Sequence, residues 1–348
     1  MYAFSVMQRL VTAAILYVAL TLAHAEPQAN DPLNEPAKNS ALASRSAFTT
    51  ITRSGARLFA GGERGLILYS DDQGKTWVQA SVPVRVTLTS IHFADATHGW
   101  AVGNGGAILR TDDGGVRWSK QFDGNAIAKA LEENAQGVSD ERRKRLISEG
   151  ADKPFLDIYV TDADNAIAVG AYGLIFATTD GGRHWRPAFN RLHAAEERHF
   201  YALRKIGPSL YLAGEQGMLY RSTDEGISFF PVDVPGKATI FSLVGTQDDI
   251  VLIGLRGAAY RSRDGGASWS KLELQTRNSL TDARPSSDGL AYLLVDDGGS
   301  VWRLARDGGA VKRLSTAAVF PFSGLEILPD GSAVVVGALG FSHTLTSK

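Results

Sequence analysis

The sequence predicts an all-β protein, a seven-bladed β-propeller of four-stranded antiparallel blades, with a short helical insertion between the second and third blades. Three observations carry this. A unit of about 41 residues recurs along nearly the whole chain. Each copy holds short apolar runs that end at turn glycines, too short for helices and spaced as hairpins. Five of the copies then close on an Asp-x-Gly turn followed by an aromatic residue.

The repeat is phased by Gly65, Gly106, Gly173, Gly217, Gly257, Gly298 and Gly340, which fall 41, 67, 44, 40, 41 and 42 residues apart. The long interval carries an insertion of about 25 residues. Within a unit, runs such as Leu58–Gly62, Trp100–Gly103, Ala166–Gly170 and Leu210–Gly214 are followed within a few residues by Leu66–Ser70, Ala107–Thr111 or Leu174–Thr178. Each such pair reads as a tight hairpin. Upstream runs (Leu88–Asp95, Phe155–Asp162, Tyr201–Ile206) supply a third strand, and the segment after the aromatic residue a fourth. Four antiparallel strands per unit around a ring make a propeller. The seventh unit lacks a fourth strand after Phe341, so residues near 40–48 are expected to complete that blade.

The second turn has its own chemistry. Ser-x-Asp-x-Gly-x-x-Trp is met by Ser70, Asp72, Gly74 and Trp77, and recurs, with Thr for Ser in two copies, around Asp113 and Trp118, Asp180 and Trp185, and Asp264 and Trp269. Asp224 keeps the pattern with Phe229 as the ring, and Asp307 and Gly309 survive in the sixth copy. This is the Asp-box. Its carboxylate can accept backbone N–H bonds of its own turn, and its ring can pack between blades. The aspartates are read as structural, because equivalent copies around a ring serve a turn. Carboxylate catalysis needs one facing pair in a pocket.

Composition narrows the function. Of 348 residues, 36 are Lys or Arg and 37 are Asp or Glu, too balanced for a general nucleic-acid binder. The chain has no cysteine, which excludes disulfides, thiolate metal sites and cysteine nucleophiles. Residues 1–25 read as a secretory signal: Arg9, an apolar run of 13 from Leu10 to Leu22, then Ala23-His24-Ala25. Cleavage is expected after Ala25, giving a periplasmic or otherwise exported protein. With no cysteine after the run, a bacterial lipid anchor is excluded. Residues 26–40, with three prolines and little to pack, read as a flexible leader, and residues 41–348 as the propeller.

In such a blade, the turn between the second and third strands and the link to the next blade share one face. The Asp-box turn lies on the other. The first set varies inside a fixed frame, which suggests a recognition surface. Arg64, Tyr172 and Arg256 are the leading candidates for partner contact, since Arg and Tyr are enriched at interface hot spots. Glu215 belongs to the same ring. The insertion, residues 123–153, reads as two short helices, with Ser139 as an N-cap. The second helix is basic, and Arg142 and Arg143 are candidate docking residues. No histidine spacing suggests a metal site, and no cofactor is expected. His193, Glu196, Glu197 and His199 form a cluster that could line the channel mouth. Asp162-Ala-Asp164-Asn165 resembles part of a calcium loop but reads as an ordinary hairpin turn. A closed ring needs no partner for stability, and a monomer is expected.

These repeats resemble the Asp-box propellers related to the photosystem II assembly and stability factor. The likeness rests on Ser90–Trp118, Asp164–Trp185 and Tyr211–Phe229 and spans roughly residues 47–345. It implies an exported, non-enzymatic factor that binds a membrane protein during assembly, with a transporter as a plausible client outside photosynthesis. The Asp-box also occurs in sialidases and other glycosidases. A sialidase-like hydrolase would need three arginines gathered near a Tyr–Glu pair, drawn from Arg64, Arg204, Arg256 and Arg284 with Tyr159 or Tyr201. A carbohydrate or cell-wall binder is a third possibility.

Overall fold

In a computed structural model, the described residues are 31–344, apart from 135, 194–196, 310 and 315–319. The expected signal segment therefore lies outside the described residues. The described residues form seven antiparallel sheets arranged as blades, six of four strands and one of three. The first blade is typical, with strands Phe48–Ser54, Arg57–Gly62, Ile67–Ser70 and Val78–Gln79 in sequence order from axis to rim. The second strands, such as Ala166–Gly170 and Asp249–Gly254, are buried along their whole length. They have neighbouring blades on both faces and therefore read as unbroken apolar runs.

The Asp-box turns follow one hydrogen-bond plan. In the first blade Ser70 Oγ donates to Asp72 Oδ1 (2.8 Å) and accepts from Gly74 N (2.8 Å), while Asp72 also accepts from Thr76 N (2.8 Å) and Thr76 Oγ1 (2.7 Å). The same bonds recur around Asp224 and Asp264. Trp77 and Trp118 donate their ring N–H to the turn glycine's carbonyl at 3.0 and 3.1 Å, and so cap the box. The rings then pack across to the preceding blade. Trp118 joins a core with Phe59 and Ile67, and Trp269 one with Tyr211 and Leu252. Trp77 stacks on Phe341 at 4.1 Å and joins the last blade to the first.

Closure differs from the expected fourth strand. Residues 43–45 form a single 3-10 turn that places Ala43 in the core with Phe48, Val334 and Val336. Upstream of Ser40 the chain leaves the last blade and runs along the first. Ser40 N bonds Gln79 Oε1 (3.1 Å), and Ala37 N bonds Val82 O (3.0 Å). The composition of this leader suggested little that could pack. Instead Leu33 is 5% exposed, Glu35 pairs with Arg85, and Lys120 Nζ holds Leu33 O at 2.9 Å. One well-placed leucine and five backbone groups hydrogen-bonded to the blades, at Pro32, Leu33, Ala37, Lys38 and Ser40, dock it.

The insertion contains helix α1, Gly124–Glu133, and helix α2, Asp140–Ser148. Ser139 caps α2 as expected, accepting from Arg142 N at 3.3 Å. Asp123 caps α1, accepting from Asn125 N and Ala126 N at 3.0 and 3.2 Å. Ile127, Leu131 and Leu146 turn inward and extend the core of the third blade. Among the described residues, no helix is long and apolar enough to cross a membrane.

Candidate protein-binding face

The turns between second and third strands ring one face. In the first blade Glu63 N donates to Ala47 O (3.0 Å) and Leu66 N to Glu63 O (3.1 Å), which ties the tip to the incoming link. Gly65 sits at φ +73, and a Cβ there would lie 1.9 Å from Val84 O, so only glycine fits. The residue before it also adopts a left-handed conformation: Arg64 at φ 55, Tyr172 at 57, Gln216 at 55 and Arg256 at 55. The second blade uses Gly105 at the equivalent place. A side chain at such a position costs about 1 kcal/mol or more. In return it stands at the tip of the turn, and Arg64, Tyr172 and Arg256 are all exposed.

The third-blade turn is braced from the insertion. Arg142, read as a docking residue, is 6% exposed. Its Nη2 donates to Tyr172 O at 2.7 Å and Gly173 O at 3.3 Å, and its guanidinium lies 4.9 Å over the Phe189 ring. This corrects the sequence reading: Arg142 is already engaged by the protein's own turn, because α2 packs over that turn and buries the guanidinium against its carbonyls and the Phe189 ring. Arg143 stays on the outer side of α2, half-exposed and paired with Asp140 at 3.0 Å. On the other flank Tyr172 N donates to His199 Nδ1 (3.2 Å), and the two rings meet edge-on at 5.1 Å. Glu215 accepts from His199 N at 3.0 Å, so it links the third-blade tip to the fourth.

Beside these turns opens the axial channel. In every blade, the pairing of the first two strands slips by one residue near this face. The unpaired residues are Thr49, Thr89, Leu156, Tyr201, Phe241, Thr281 and Ser323. A bulge re-aims its side chain, and these seven line one cavity of about 290 Å³ at the channel mouth. Four are hydroxyls that bridge to the next blade. Thr49 bonds Leu88 O, Thr89 bonds Phe155 O (2.7 Å), Thr281 bonds Phe322 O (3.0 Å), and Ser323 bonds Phe48 O (2.6 Å) across the closure. The other three, Leu156, Tyr201 and Phe241, form a continuous half-buried apolar arc, with Tyr201 and Phe241 edge-on at 5.1 Å. The arc abuts His199 and hence the braced Tyr172 turn. Burial and then the Glu215 charge push the Tyr201 hydroxyl up. Sequence reasoning missed this arc, although each member lies at the same phase of the repeat.

Deeper in the channel, charges are paired. Arg204 is held by Asp157, and Arg284 by Asp282 (2.6 Å) and Glu326 (3.6 Å). Asp157 also accepts from Ser90 Oγ and Leu203 N, both at 2.7 Å, and so ties three blades together. Of the four arginines considered for a sialidase-like triad, Arg204 and Arg284 face the channel and are engaged. Arg64 and Arg256 stand on turn tips. The expected histidine cluster is also dispersed. His193 stacks on Phe230 at 4.1 Å, His199 serves Tyr172, and Glu197 pairs with Arg142 and Arg145. Glu196 lies outside the described residues. Asp162 accepts from Asp164 N (2.8 Å) and Asn165 N (2.9 Å), an ordinary Asx turn. Among the described residues, no group of three or more His, Asp or Glu side chains could hold a metal.

Fold and turn chemistry together define an Asp-box β-propeller with one face of variable, left-handed turn tips around an open channel mouth. The chain belongs to the family of the photosynthesis system II assembly factor YCF48, whose model matches residues 71–136 and 136–313. It is 29% identical over 193 residues to the photosystem II assembly lipoprotein Ycf48 of Synechococcus sp. (strain CC9902), covering 51% of this chain and 57% of that protein. The chain thus spans little more than half the length of that relative. Among solved structures, it is similar to YCF48 bound to D1 peptide, with a TM-score of 0.66 and 15% identity over 88% of this chain and 95% of that one. It is also similar to an ancestral GH74 enzyme, with a TM-score of 0.63 and 10% identity over 88% of this chain and 45% of that one. At these identities both are likenesses of fold alone.

Proposed function

We propose that the chain is an exported, non-enzymatic propeller that holds a segment of a membrane protein on its turn face while a membrane complex is assembled or stabilised. One observation carries the reading. A braced turn tip, Tyr172, stands beside an apolar arc of bulge residues, Leu156, Tyr201 and Phe241, at the mouth of a cavity. The arc offers aromatic surface at low entropic cost, and the hydroxyl half of the rim offers polar groups. Arg64, Arg256 and Glu215 on the other turn tips and Arg143 on the inserted helix are assigned in this reading to polar contacts with the same segment. Family membership supports the class of function, and the structure of a YCF48 with a D1 peptide supports a peptide as ligand. No described feature favours a transporter over other membrane-protein clients. The glycosidase reading has less support, because the channel arginines are tied to carboxylates. The Synechococcus relative is named a lipoprotein. This chain has no cysteine to carry a lipid, so release of a soluble form by cleavage after Ala25 fits it better.

The test is capture from detergent-solubilised host membranes by the protein beginning at Glu26, run beside a panel of glycoside substrates. Recovery of a membrane protein without glycoside turnover is expected. Turnover with no membrane protein recovered would reverse the reading.

A further inference from the structure

Among the described residues, no strand pairs with the outer edge of the seventh blade. In five of the six complete blades, one hydrogen bond fastens the rim strand: Ala80 N to Ile67 O (2.9 Å), Ala188 N to Ile175 O (3.0 Å), Val232 N to Leu219 O (2.8 Å), Leu272 N to Ala259 O (2.9 Å) and Leu314 N to Val301 O (2.8 Å). Register assigns the equivalent acceptor in the last blade to Phe341 O. Phe341 pairs with Val336, the residue before Gly337, as Ile67 pairs with Gly61 before Gly62. No described strand lies beyond Phe341.

The link into the first blade is nonetheless in phase. Ser44 O faces Gly340 as Val84 O faces Gly65 and Thr276 O faces Gly257. Four residues before those positions the sister chains run into a rim strand. Here, at Ser40, the chain turns away to the first blade. What remains is a groove lined by Ser44, Arg45, Lys75, Trp77, Phe341 and His343, among others.

The sister strands also specify what side chains would fit. Trp77 with Ala80, Trp185 with Ala188, Phe229 with Val232 and Trp269 with Leu272 place an aromatic ring three residues before an aliphatic one. Each ring packs toward the preceding blade, and Ala80 and Leu272 pack toward the following one. Arg45, exposed at the turn-face end and in no ion pair among the described contacts, favours an acidic residue there.

We propose that the outer edge of Gly340–Thr344 receives an extended segment of a partner protein, of pattern aromatic-x-x-aliphatic with an adjoining acidic residue, which adds as the fourth strand of the seventh blade. Recognition is by backbone pairing, with the two side-chain positions giving specificity. An exposed edge strand is a ready template for this. The surface is separate from the turn-face site and does not depend on it.

The test uses a synthetic peptide copying Trp269–Leu274, Trp-Ser-Lys-Leu-Glu-Leu, titrated into the isotope-labelled protein. Amide shifts centred on Gly340–Thr344 are expected. A second peptide, N-methylated at the leucine whose N–H would meet Phe341 O, is expected to bind at least tenfold more weakly. Equal binding of the two peptides, or shifts confined to other blades, would overturn the proposal. So would exchange-protected amides at His343 in the free protein, which would mean that the leader or a second copy already fills the edge.

Discussion

The Arg142 guanidinium donates to the Tyr172 carbonyl at 2.7 Å, joining an inserted helix to the tip of the third-blade turn. The bond ties the chain's largest departure from its repeat to the most exposed aromatic of the turn face. Arg142→Ala leaves two tip carbonyls and Glu197 without this donor. We expect a loss of about 1–3 kcal/mol, since buried polar groups are left unsatisfied. Arg143→Ala, which removes a half-exposed pair, is expected to shift stability by about 0.5 kcal/mol or less. Chemical denaturation of the two variants checks the contrast.

Left-handed tips make function and stability separable. Arg64→Gly and Arg256→Gly relieve a disfavoured φ while increasing the freedom of the unfolded chain. Melting temperature is expected to hold or rise slightly, while capture of the membrane partner weakens. Arg64→Glu with Arg256→Glu is expected to weaken capture further, again without altering melting. Capture that persists in both sets would assign binding to another surface.

The Asp-box carboxylates predict an acid limit. Asp72, Asp224 and Asp264 are each lowered to about 2, mainly by a hydroxyl donor at the fourth following residue, Thr76, Ser228 or Ser268. Their values in the folded protein lie below the ordinary 3.8. Their contribution is therefore complete above about pH 4 and is lost as pH falls toward 2. Melting temperature should decline through that window. Asp224→Asn, which keeps the shape and removes the charge, should flatten the decline, and thermal scans across pH measure it.

Ring closure depends on the seam between the last blade and the first. Trp77 stacks on Phe341 at 4.1 Å, and Ser323 Oγ donates to Phe48 O at 2.6 Å. Trp77→Ala is expected to cost about 3 kcal/mol, in the range for a large aromatic lost from a core contact. Ser323→Ala should cost about 1 kcal/mol. Deleting residues 31–40 should lower melting as well, because the leader packs Leu33 against the second blade. Equilibrium unfolding of each variant tests the order.

The blades were legible because turn glycines and Asp-boxes are local chemistry repeated at fixed phase. Ser139 was legible as a cap for the same reason. What sequence did not yield is long-range. Arg142 reads as a surface cation on a basic helix until the fold brings Tyr172 O to it across 30 residues. Leu156, Tyr201 and Phe241 look like ordinary inner-strand residues until the bulges turn them to the channel. The leader's path depends on where Gln79 and Lys120 lie in three dimensions, and no composition rule encodes that.

The most direct test is site-specific photo-crosslinking in host membranes. A photoreactive residue is placed at positions 172 and 256 on the turn face, and at 117 and 183 on the Asp-box face, where Arg117 and Arg183 are exposed. Crosslinks to a membrane protein from 172 and 256 alone are expected. Crosslinks from 117 and 183 alone, or none from any position, would contradict a partner-binding turn face.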